Sequence, residues 1–174
     1  MSTTQAAVLY GTMLVVALIA SVTDFRSGLI PNWLTWPTLL LGPCLNATFG
    51  GTRGAGLALL GIVIAGSLPL LFLRLGGMGA GDVKLFAALG GLGGPRLGLE
   101  IELWAMSCVC CWGFARLALQ GQLLASLHTS ARLIANLFMP VKQQRSVADE
   151  QLTYLRIGSA IFAGTLFALA TRAL

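Results

Sequence analysis

Residues 6–24 read AAVLYGTMLVVALIASVTD, a run without a charged residue until it ends on a carboxylate. A helix of about 20 such residues is long enough to cross the hydrocarbon core of a bilayer. Comparable runs recur from Trp33 to Phe49, Gly56 to Leu75, Asp82 to near Pro95, Leu103 to Leu119 and Leu155 to Leu174. Together they predict an all-α, polytopic membrane protein of about six transmembrane helices in a single domain, residues 1–174. The fourth run is the shortest and the richest in glycine.

Composition agrees. Only 10% of the residues are charged, where a soluble domain carries about a quarter, too few to cover a water-exposed surface of this length. The net charge of +5 is spread over the segments between apolar runs, a pattern that reports topology and contact with anionic lipid. No basic stripe is interleaved with aromatics, so nucleic acid is excluded as a partner. The start, Met1 to Gln5, lacks the basic residues of a secretory signal, so the first run reads as a retained span.

Residues 123–139 differ. His128, Arg132 and Asn136 fall four apart, while Leu123, Leu127, Ile134, Leu137 and Phe138 gather on another face. This predicts one amphipathic helix lying in the membrane interface. With the N-terminus outside, the inner segments hold Arg26, Arg74, Lys84, Arg116, Arg132, Lys142, Arg145 and Arg156, leaving Arg53, Arg96 and Arg172 outside. The positive-inside rule then places both termini on the outer side.

Six acidic residues are present. Glu100 and Glu102 fall between the fourth and fifth runs, and Asp149 and Glu150 lie in a polar stretch; all four read as solvated surface. Asp24 and Asp82 instead abut apolar helices, where a carboxylate is costly without a task or a partner. The topology puts both on the inner side. Two carboxylates brought together there cannot both ionise readily, so the pair can share a proton. One can then activate water while the other donates to a scissile amide. The structural alternative, that Asp24 caps a turn and Asp82 a helix start, stands beside this reading on position alone.

Other chemistries lack parts. His128 is the single histidine, no Gly-x-Ser-x-Gly elbow occurs, and Cys44, Cys108, Cys110 and Cys111 form no paired CxxC knuckle. The thiols, all within apolar runs, read as small helix-packing residues, and no metal site is expected. A small transporter or a non-catalytic subunit of a secretion apparatus is the alternative from another class, since intramembrane acids also serve proton relays. No self-similarity between halves supports it.

Around Asp82 the chain reads Gly76-Gly77-Met78-Gly79-Ala80-Gly81-Asp82-Val83-Lys84, a glycine density that lets an extended substrate approach the backbone. Gly79-Ala80-Gly81-Asp82 resembles the GxGD motif of type IV prepilin peptidases, and Asp24 with Arg26 and Ile30-Pro31-Asn32 resembles that family's first catalytic segment. The resemblance implies that Asp24 and Asp82 form a catalytic dyad needing no cofactor, with Gly79, Gly81 and Lys84 beside the substrate. It implies prepilins or pseudopilins as substrates, losing a basic leader at the cytosolic face of the bacterial inner membrane. Only Phe25 to Asn32 separates the first two runs, which leaves no room for the cysteine-bearing insert of the larger, methylating members. The chain is therefore most similar to the short CpaA/TadV-type members. Gly158-Ser159-Ala160-Ile161 with Gly164 resembles their final-span motif, although Arg156-Ile157 stand where Pro-Tyr is usual.

Overall fold

The computed structural model describes residues 3–119 and 157–173. The interfacial helix expected at 123–139 lies outside these residues, as do His128, Asp149 and Glu150. The chain divides into two compact units, Met1–Cys108 with Arg156–Leu174, and Val109–Leu155. The candidate site lies wholly in the first.

Every described element is helical: α1 (Thr3–Ser27), α2 (Asn32–Arg74), α3 (Ala80–Leu119) and α4 (Ile157–Ala173). Three stretches, Thr3–Ser27, Asn32–Arg74 and Ala80–Ala115, are long and apolar enough to cross a membrane, and Ile157–Arg172 is a shorter apolar helix. A straight helix of 43 residues, the length of α2, would reach about 65 Å, twice the hydrocarbon thickness. Neither α2 nor α3 is straight. Gly51 (φ 60°, ψ −149°) and Gly94 (φ 76°, ψ 178°) leave helical geometry in a region open only to glycine.

At both glycines the chain turns back. A side chain on Gly98 would lie 2.9 Å from the Cα of Gly90, residues that stand about 12 Å apart in a straight helix. Around Gly51, Gly54 lies against the carbonyl of Asn46, and Gly42 and Gly61 both meet the 90–91 segment. Each long helix is thus a pair of limbs: residues 32–50 and 52–74, then 80–93 and 95–119. Pro95 starts its limb, where a missing N–H is harmless. Gly91 is among the last residues of the limb 80–93, whose carbonyls have no intrahelical donor. The Asn46 Nδ2 supplies one, 3.2 Å from the Gly91 oxygen and 3.1 Å from that of Leu92.

The limb 80–93 is the core. Leu85, Phe86, Ala88, Leu89 and Leu92 are essentially inaccessible. Its glycines are points of helix contact: a Cβ on Gly42 would lie 2.6 Å from the Gly91 carbonyl carbon, and Gly61 and Gly90 touch backbone to backbone. The segment that reads as the weakest span is short because the helix breaks at Gly94, and glycine-rich because small residues let helices approach in a membrane.

Candidate active site

Three local devices bring the functional ends together. Gly28 (φ 67°) closes α1 with its N–H on the Asp24 carbonyl at 2.9 Å, which fixes Asp24 in the last helical turn. Gly76 (φ 75°) and Gly77 end α2 in a paired motif, Gly77 N–H to the Phe72 oxygen at 2.9 Å and Gly76 N–H to the Leu73 oxygen at 3.0 Å. Gly79 then precedes α3, and its N–H donates to Asp82 Oδ2 at 3.2 Å. This is the reach-back half of a capping box, with Asp82 as the third helical residue. Of the glycine-rich loop, then, Gly76 and Gly77 serve chain termination rather than an open surface.

Asp24 is 6% exposed, and its Oδ2 accepts the N–H of Gly158 at 2.9 Å. Gly158 is the second residue of α4, so the carboxylate sits at the positive end of that helix. Asp82 is half-buried at the start of α3, and the Asp24 carboxylate is close enough to act on it electrostatically. Both aspartates therefore have capping contacts.

Gly81 lets the start of α3 lie against the loop after α1: a Cβ there would stand 3.0 Å from the Ile30 Cβ and 3.3 Å from its carbonyl oxygen. Lys84 Nζ donates to Asn32 Oδ1 at 2.8 Å and lies 5.6 Å from the ring centre of Trp36, pinning the start of α2 to that of α3. Asp24, Asp82, Gly79, Gly81 and Lys84 thus gather where α1 ends and α2, α3 and α4 begin. Asn32 and Gly158 join them. Asn32 was visible in sequence only as part of the Ile-Pro-Asn segment, and Gly158 only as a motif fragment. Their contacts depend on helix ends far apart in the chain.

Two expectations fail. Glu102 is not solvated surface but 1% exposed, with no hydrogen-bond partner on either carboxylate oxygen among the described residues. Glu100 lies within α3 and pairs with Arg172 Nε at 2.9 Å and Arg96 Nε at 3.3 Å. The limb 95–119 begins eight residues before the expected span at Leu103, carrying both acids into the helix. The thiols also differ: Cys44, Cys110 and Cys111 are exposed, so they do not fill helix contacts within their units. Among the described residues no cluster of three or more His, Cys, Asp or Glu side chains could hold a metal ion.

No solved structure matches the chain. The prepilin leader peptidase/N-methyltransferase of Vibrio cholerae is 32% identical over 109 residues, which cover 56% of this chain and 41% of that relative. The chain thus spans less than half the length of the curated relative it matches. The model of the type IV leader peptidase family matches residues 11–115, a stretch running from α1 through both aspartates and most of α3. With more than half of its length so matched, the chain belongs to the type IV leader peptidase family.

Proposed function

We propose that the protein is an aspartyl endopeptidase that removes the basic leader from type IV, Flp-like prepilins or pseudopilins at the cytoplasmic face of the inner membrane. What carries this reading is the gathering of Asp24 and Asp82 among four helix ends, each carboxylate accepting a backbone N–H. In the reaction, one carboxylate takes a proton from water as its oxygen bonds to the scissile carbonyl carbon. The other, protonated, donates to the carbonyl oxygen. Collapse of the tetrahedral intermediate breaks the C–N bond, and the leaving nitrogen departs with a proton returned from the pair. Preorganised carboxyls suffice, so neither metal nor cofactor is required.

The exposed backbone at Gly79 and the half-buried Gly81 would align the extended leader junction, with Lys84 beside it. In the membrane, α1, the paired limbs of α2 and α3, and α4 would make six crossings with both termini periplasmic, as the basic residues favour. Only residues 28–31 join α1 to α2, so the segment that accompanies methylation in larger members has no place there, and cleavage would proceed without N-methylation. Co-expression with short prepilins, followed by N-terminal sequencing and mass spectrometry, tests this. The expected product begins at the leader junction with a free amine. Unprocessed prepilin, at normal membrane levels of both proteins, would refute the peptidase reading.

A further inference from the structure

Asp24 and Gly158 lie 134 residues apart, yet the carboxylate of one is built around the absence of a side chain in the other. A Cβ at position 158 would stand 2.8 Å from the Asp24 Cβ, 2.9 Å from Oδ2 and 3.1 Å from Cγ. Those distances are shorter than ordinary carbon contacts, and the atoms approached are those of the aspartate itself. Any other residue at 158 must displace that carboxyl group. The Gly158 N–H is also one of the donors that the first turn of a helix leaves unpaired. It is spent on Oδ2 in a buried, charge-assisted bond.

We infer that Gly158 is a positioning residue, through which the backbone of α4 enters the site and fixes where the Asp24 carboxyl group stands. The inference rests on the peptidase reading above and assigns α4 a part in it. Gly164, six residues on, makes the comparison: a Cβ there would meet the Ala105 nitrogen at 2.6 Å and the Ile101 oxygen at 2.8 Å. That is a tight helix contact with no aspartate in it. The two glycines of one helix thus separate positioning from packing.

The test uses the full chain reconstituted in lipid, with purified prepilin, comparing Gly158→Ala, Gly164→Ala and Asp24→Asn. A displacement of about 1 Å at a reacting group is worth about 10²-fold in rate. Gly158→Ala should therefore lose about 10²-fold in kcat with KM within about twofold. Gly164→Ala should reduce the folded fraction while each folded molecule keeps its kcat. Wild-type kcat in Gly158→Ala, or an equal kcat loss per folded molecule in Gly164→Ala, overturns the inference. A second measurement needs no activity. With the native cysteines replaced by serine, Asp24→Cys with Gly158→Cys should oxidise to a disulfide, a bridge that asks for about 1 Å of opening. Failure to cross-link in folded protein also overturns the inference. Cross-linking alongside full cleavage by Asp24→Asn would instead leave the contact standing and remove the aspartyl mechanism.

Discussion

Replacing Asp24 or Asp82 by asparagine separates chemistry from architecture, because the structure gives each aspartate a capping contact and the proposed mechanism gives it a proton to transfer. The amide oxygen of asparagine can take the Gly158 N–H, now 2.9 Å from Asp24 Oδ2, and the Gly79 N–H, now 3.2 Å from Asp82 Oδ2. Exchanging a charge-assisted for a neutral hydrogen bond lowers its net worth by about 1 kcal/mol, so both variants should insert and fold. Proton transfer is another matter. An amide neither accepts water's proton nor donates as an acid, and loss of general acid–base catalysis is worth about 10²–10⁴-fold. That is about 3–5.5 kcal/mol of activation free energy, several times the structural effect. The assay is cleavage of purified prepilin in lipid, with matched folded enzyme and product read by N-terminal sequencing. Each single variant should fall by at least 10²-fold, and the double variant no further, since residues acting as one unit are not additive. Either variant cleaving within about tenfold of wild type would refute the reasoning and leave the aspartates as caps.

Glu102→Met should stabilise the protein by about 1–3 kcal/mol in a denaturant titration, because it removes a buried carboxyl without a partner among the described residues and keeps the volume; a loss of stability would show that Glu102 is satisfied. Asn46→Leu should destabilise by about 1–3 kcal/mol, since the Gly91 carbonyl at the end of its limb loses its side-chain donor, and an unchanged unfolding midpoint would contradict that account. Lys84→Met removes the bond to Asn32 and the contact with Trp36, together worth about 1 kcal/mol at an exposed site. It should raise KM about fivefold at nearly constant kcat; a fall in kcat alone would move Lys84 from substrate alignment to the chemistry.

Helices, their apolar character and the two singular aspartates were legible in the sequence because they depend on one position or one run at a time. Hydropathy over a window decides whether a segment prefers lipid, and a carboxylate beside such a segment is conspicuous wherever the chain goes next. What the sequence could not carry is which face of each helix meets which neighbour. In a soluble helix the polar face marks the outside, but here every face is apolar and the pattern does not distinguish protein from lipid. Glu102, two residues from a surface ion pair, therefore reads as solvated although it is enclosed. Cys44 reads as packed although it is exposed. The glycines of the 80–93 limb read as a weak span although they mark its closest contacts. Gly158 has no reactive atom to draw notice. Only the tertiary structure placed its amide against Asp24, because that contact is a property of two helix ends and of neither alone.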